Sequence, residues 1–120
     1  MILVDSSTWV EFLRGEQESD HPLRDHLRSG QAALCPIVWV ELWRGARGRT
    51  EEESLLRLRE LCEMLVIDGA AWEETAVLAR LALRAGLNCP LADIAIVACA
   101  RRHKVQLLHR DKHMARLQML

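Results

Sequence analysis

Four acidic side chains stand out by their surroundings. From Leu91 to Ala100 the chain is apolar except at Asp93, and Pro90 reads as the first residue of a helix, where proline is tolerated. A segment apolar all round reads as a buried helix, and an isolated carboxylate buried in it is too costly to keep charged. Asp93 must therefore be paired, protonated, hydrogen-bonded or bound to a cation. Glu41 repeats the anomaly within Ile37 to Trp43, the apolar first turns of a helix opened by Pro36. Asp5 ends the apolar run Ile2 to Val4, and Asp111 follows another, Val105 to Leu108.

In open α/β sheets the carboxyl ends of parallel strands and the starts of neighbouring helices face one crevice, so the four acids can converge. At a separation of about 5 Å and an effective dielectric near 20, each pair of carboxylates repels by roughly 3 kcal/mol. Such a cluster needs protons or cations. An all-oxygen donor set suits Mg²⁺ or Mn²⁺. One or two such ions activate a water and stabilise the charge that builds up during phosphodiester cleavage. The basic residues suit that substrate: Arg44, Arg47 and Arg49 follow Glu41, and Arg101, Arg102, Lys104, Arg110, Lys112 and Arg116 flank Asp93 and Asp111.

Each acid also has a structural reading. Asp5 and Asp111 stand where helix N-caps belong. Glu41 can reach solvent or pair with Arg44, and Asp93 gains from the dipole and free amides at its helix start. The four together, each inside or ending an apolar run, favour a shared site. Ser6 and Ser7 are candidate hydrogen-bond partners of a metal ligand or its water, or caps of the following helix. His109, Lys112 and His113 are candidate phosphate contacts or solvated surface residues, and Trp9, Trp39, Trp43 and Trp72 read as core, some of them as support for a dimer interface.

Short apolar strands alternate with helices. Ile2 to Val4 reads as a strand, followed by a helix from Thr8 to Leu13 ending near Gly15, and Glu16 to Asp20 as a polar loop. His21-Pro22 opens a helix that stops near Gly30, Ala32 to Cys35 is a strand, and Pro36 begins the Glu41 helix. Thr50 and Glu53 form a capping box for a helix with Leu55, Leu58, Cys62 and Leu65 at core spacing. Met64 to Ile67 is the next strand, Asp68-Gly69 turns into a helix facing the core with Trp72, Ala76, Ala79 and Leu83, and Gly86 stops it. After the Asp93 helix come the strand Val105 to Leu108 and a last helix through Met114 and Leu117. The pattern implies one α/β domain over residues 1–120, with a short, mostly parallel central sheet flanked by helices.

At 120 residues, half of them hydrophobic, the chain can bury a core without disulfides. A net charge of −1 gives no global field toward nucleic acid or membrane, so any basic surface is local. Cys35, Cys62, Cys89 and Cys99 form no C-x-x-C pair and read as reduced core thiols. The N-terminus lacks the basic region of a signal peptide, and no uncharged stretch approaches the ~20 residues of a membrane span. A soluble cytoplasmic protein is expected.

At these residues the chain resembles the PIN-domain ribonucleases, and among them the VapC-type toxins of bacterial and archaeal toxin-antitoxin pairs. Val4-Asp5-Ser6-Ser7 with Trp9 is similar to the family's first motif, and Glu41-Leu42-Trp43-Arg44-Gly45 to its E-L-x-x-G. Leu91-Ala92-Asp93-Ile94-Ala95 with Ala98 is similar to its D-x-x-I-A-x-x-A helix, and Leu107-Leu108-His109-Arg110-Asp111 to its strand ending in an acid. The resemblance implies a PIN-like fold and a Mg²⁺- or Mn²⁺-dependent endoribonuclease whose metal ligands are Asp5, Glu41, Asp93 and Asp111. It also implies a homodimer, or a hetero-oligomer with a cognate antitoxin that occupies the acidic site. Members commonly carry Thr where this chain has His109, Phe where it has Met114 and a second Asp where it has His113, so Asp111 is expected to bind metal indirectly or only with substrate. Many continue past Leu120 into an edge strand, expected here to be short or absent. Two other readings compete. A phosphoryl-accepting receiver domain calls for adjacent acids after the first strand, and only Asp5 is there; a PIN-like binding module without catalysis calls for the loss of an acid, and all four are present.

Overall fold

The apolar run Ile2–Val4 forms the central strand β1, buried on both faces as strands of a covered parallel sheet must be. In the computed structural model, which describes residues 1–15 and 21–120, β1 lies between β2, Ala32–Leu34, and β4, Gln106–Leu108. The short β3, Glu63–Met64, lies outside β2, giving the order β3-β2-β1-β4 with every pairing parallel. Leu3 pairs with Ala33 on one side and Leu107 on the other. The expected loop from Glu16 to Asp20 lies outside the described residues.

Helices fill the connections: α1 (Ser6–Leu13), α2 (Pro22–Arg28), α3 (Pro36–Arg44), α4 (Arg49–Leu61), α5 (Gly69–Arg84), α6 (Leu91–His103) and α7 (Lys112–Gln118). Their starts follow the sequence closely, since proline opens α2 and α3, and Asp5, Asp68 and Asp111 cap α1, α5 and α7. Pro90 proves to be the residue just before α6 rather than its first.

The core joins β1 and β2 to Trp9, Leu23, Val38, Leu55, Leu58, Leu78, Met114 and Leu117, with Ile94 to Ala100 of α6 all buried. Because the chain runs β1 to β2 to β3 on one side and returns to place β4 on the other, β1 and β4 flank a reversal of strand order. Ligands bind outside the carboxyl ends of the strands at such a point. Asp5 and Asp111 lie there.

Three local expectations are corrected. The Thr50–Glu53 capping box does not form: Gly48, at φ 109°, is the N-cap of α4, and the Glu51 carboxylate accepts the Arg47 N–H at 3.1 Å instead. The third strand ends at Met64, so Leu65 to Ile67 lie beyond it. On α5 the buried stripe is Ala71, Thr75, Leu78 and Ala82, one residue out of step with the expected face, which leaves Trp72 50% and Leu83 79% exposed. This stripe, mostly of small side chains, lies on a helix that packs against α6.

Candidate functional site

Asp5 leaves the end of β1 and folds back over the first turn of α1. Its Oδ1 accepts the Thr8 N–H at 3.1 Å and its Oδ2 the Ser7 hydroxyl at 3.0 Å. Its own N–H donates to the Leu108 carbonyl at 3.1 Å, tying the ends of β1 and β4 together. It is 4% exposed and has no basic partner among the described residues. The capping reading of Asp5 is thus correct, and it leaves lone pairs on both oxygens.

Glu41, in the second turn of α3, accepts the Ser6 hydroxyl on Oε1 at 3.1 Å. Neighbouring residues of α1 therefore orient two different acids, Ser6 holding Glu41 and Ser7 holding Asp5. Asp111 caps α7, its Oδ1 accepting the N–H groups of His113 at 2.7 Å and Met114 at 3.4 Å, so that Oδ2 takes no protein donor among the described residues.

Asp93, third residue of α6, makes no side-chain hydrogen bond or ion pair among the described residues; the amides ahead of it do not bind it. Its carboxyl is held above the ordinary aspartate range, first by partial burial and then by the charges of Asp111, Glu41 and Asp5, against which His113 acts weakly. All four sequence-predicted acids are therefore close enough for the other three to act on Asp93, although they come from positions 5, 41, 93 and 111.

Among the described residues, no three His, Cys, Asp or Glu side chains are gathered into a ready-made metal cage. The donor chemistry nevertheless fits a hard divalent cation. All four ligand candidates are carboxylates, the other three raise the proton affinity of Asp93, and Mg²⁺ keeps several of its waters rather than demanding a closed protein shell. Glu41 also borders a cavity of about 300 Å³ with Val10, Leu13, Arg14 and Leu42, and one of about 290 Å³ with Ile37, Val40, Arg44 and Ala92.

The basic residues divide. Arg44 lines a cavity beside Glu41, and Lys112 is exposed at the start of α7. Arg110 is held by Glu11, Nη1 to Oε1 at 2.7 Å. Arg101 and Arg102, neighbours of Asp93 in sequence, do not flank it: they lie at the other end of α6, where Arg101 donates to the Leu117 and Gln118 carbonyls and Arg102 pairs with Asp68.

The cysteines divide too. All four are unpaired thiols; Cys35, Cys62 and Cys99 are buried, and burial pushes Cys62 up to about 11. Cys89 departs from the expected core position, half-exposed at the site with Sγ 4.0 Å from His113 Nδ1. Slight desolvation and then Asp93 and Asp111 hold its thiol up. A role for His109 also escaped the sequence: its Nδ1 accepts the Asp111 N–H at 3.1 Å.

Residues 2–119 match the PIN domain family. Ribonuclease VapC11 of Mycobacterium tuberculosis is 33% identical over 116 residues, covering 92% of this chain and 87% of that protein. VapC ribonuclease Mb1587 of Mycobacterium bovis matches over the same shares at the same identity. The fold is similar to that in VapBC2 of Rickettsia felis bound to a promoter DNA fragment, at a TM-score of 0.81 and 19% identity over 97% of this chain and 92% of that one. It is also similar to that in FitAcB of Neisseria gonorrhoeae, at 0.78 and 23% over 100% and 94%. The spacing of the acids, the order of the strands and these likenesses agree, and the chain belongs to the PIN-domain family.

Proposed function

We propose that this protein is a Mg²⁺- or Mn²⁺-dependent endoribonuclease of a toxin-antitoxin pair, with Asp5, Glu41, Asp93 and Asp111 as its metal-holding acids. The observation that carries the reading is the convergence of like charge on Asp93, which has burial and three carboxylates against it and no protein donor in compensation among the described residues. The relatives named VapC ribonuclease supply the substrate class. When bound, the divalent ion supplies the Lewis acidity for attack of a water on the RNA phosphorus.

The chain's own residues do the rest. Of the four acids, Asp5 is the most enclosed. Ser7 and the Thr8 N–H hold Asp5, and Ser6 holds Glu41, so neither carboxylate must be ordered when the ion arrives. The start of α6, which has no side-chain cap, carries Asp93 in its first turn and adds a helix dipole that favours the approach of phosphate there. Arg44 and Lys112 supply local positive charge, while Arg110 is engaged by Glu11.

The proteins of similar fold include a toxin-antitoxin complex of Klebsiella pneumoniae and a member of the VapBC family of toxin-antitoxin systems of Mycobacterium tuberculosis. We extend that arrangement here: an antitoxin segment enters the acidic site and meets the carboxylates with basic side chains, and the toxin is a homodimer or part of a hetero-oligomer. Among the described residues no helix is long and apolar enough to cross a membrane.

A second reading, a PIN-like binding module without catalysis, is favoured by the lack of a ready-made metal cage among the described residues. RNA cleavage by the purified protein with Mg²⁺, Mn²⁺ or chelator separates the two. The nuclease reading expects cleavage with either ion and none with chelator or in Asp93→Asn. Cleavage indifferent to chelator contradicts the metal mechanism, and no cleavage of any RNA with either ion favours the binding module.

A further inference from the structure

We infer that His109 is a positioning residue for Asp111, its imidazole serving as the turn acceptor that aims the fourth carboxylate. The inference rests on the proposed membership of Asp111 in the acidic site and goes beyond it. In most turns of this kind an Asn, Asp, Ser or Thr oxygen accepts the N–H two residues on. Here His109 Nδ1 accepts from Asp111 N at 3.1 Å.

A ring nitrogen that accepts carries no proton, so the hydrogen sits on Nε2. That N–H meets Gln118 Oε1, near the end of α7, at 2.8 Å. One neutral tautomer therefore satisfies both contacts and orients the ring from both sides.

The Asp111 backbone is fixed by His109, and its Oδ1 is fixed by the first amides of α7. With both ends of the residue held, Oδ2 has one direction left to point. The remaining tie on this loop, Arg110 to Glu11, is a half-exposed ion pair and holds little by itself at a protein surface. The chain uses the same device elsewhere: His21 Nδ1 accepts from Leu23 N at 3.1 Å and caps α2, so a histidine in this role is a local habit of the sequence.

The test measures Mn²⁺ binding by electron paramagnetic resonance of the free ion, together with steady-state cleavage, on the full-length chain. Asp111→Asn is the reference, because asparagine caps α7 as well as aspartate does and removes only the charge. It should weaken Mn²⁺ binding. His109→Ala should weaken it about tenfold and lower kcat more than it changes KM, as loss of a residue that orients a metal ligand does. His109→Asn, whose side-chain oxygen reaches the same N–H, should recover both values to within about threefold.

If Asp111→Asn leaves Mn²⁺ binding unchanged, the placement of Asp111 in the site fails and takes this inference with it. If Asp111→Asn weakens binding while His109→Ala does not, the inference alone is overturned. A His109→Asn variant as impaired as His109→Ala overturns the turn-acceptor role. Should thermal denaturation show His109→Ala to be unfolded, the exposed Gln118→Leu carries the test. Freeing the ring should weaken Mn²⁺ binding about threefold, the worth of one neutral hydrogen bond, and unchanged binding overturns the inference.

Discussion

The two ends of α6 treat charge in opposite ways. At the start, Asp93 sits half-buried with three other acids acting on it and no donor of its own among the described residues. At the end, each of three polar side chains is used: Arg101 binds two carbonyls that close α7, Arg102 pairs with Asp68, and His103 Nε2 lies 2.7 Å from the Val66 carbonyl. Groups that stabilise a fold are satisfied within it. A carboxylate left among like charges costs stability, and it is kept where something outside the chain completes it.

The largest expected effect breaks the first end. Asp93→Asn should cut RNA cleavage about a hundredfold or more, roughly 3 kcal/mol of transition-state stabilisation, while folding is kept or improved because repulsion is removed. Loss of both cleavage and thermal stability would make Asp93 a structural residue. The same variant sharpens the comparison through pH. Because its folded-state pKa is raised, Asp93 holds its proton more tightly folded than unfolded. The wild type should therefore lose stability as pH rises from the ordinary aspartate range through that raised value, and Asp93→Asn should lack this decline in denaturant titrations.

Completing the site should have the next effect. Mg²⁺ or Mn²⁺ at a hundred times its dissociation constant should stabilise the wild type by about 2.7 kcal/mol, read as a higher unfolding midpoint. Asp93→Asn should respond much less, and an equal rise in both would place the ion elsewhere.

The other end of α6 should respond in reverse. Arg101→Met should cost about 1–2 kcal/mol, since a charged donor to the last carbonyls of α7 is lost, yet keep cleavage by the folded fraction. A selective loss of cleavage would return Arg101 to the site. Smallest, Lys104 ends α6 in the left-handed region at φ 56°, where α5 uses Gly86 at φ 74°. Lys104→Gly should raise stability by up to about 1 kcal/mol, checked by chemical denaturation, without altering cleavage.

What could be read from the sequence follows the same division. Three of the strands and the starts of α1, α2, α3, α5 and α7 were legible because each depends on a few adjacent residues, an apolar run, an Asp at a helix start or a Pro at its first turn, whereas the cap of α4 and the short β3 were not. The acids were legible because a charge inside an apolar run is anomalous wherever the run comes to lie. The buried face of α5 was not, since both of its faces carry apolar residues and the choice of Ala71 and Ala82 over Trp72 and Leu83 is made by tertiary packing. Nor was the fate of Arg101, Arg102 and Lys104, which are close to Asp93 in the chain but most of a helix length away. The turn role of His109 was hidden because nothing in the residue type alone separates an acceptor from a surface imidazole.

The central claim is that Asp5, Glu41, Asp93 and Asp111 share a divalent ion. Anomalous diffraction from crystals soaked in Mn²⁺ tests it most directly. The account predicts a peak between these carboxylates, with oxygens of Asp5 and Asp93 at about 2.0–2.3 Å from it. A peak elsewhere, or none at saturating Mn²⁺ with the four side chains turned to separate places, would contradict it.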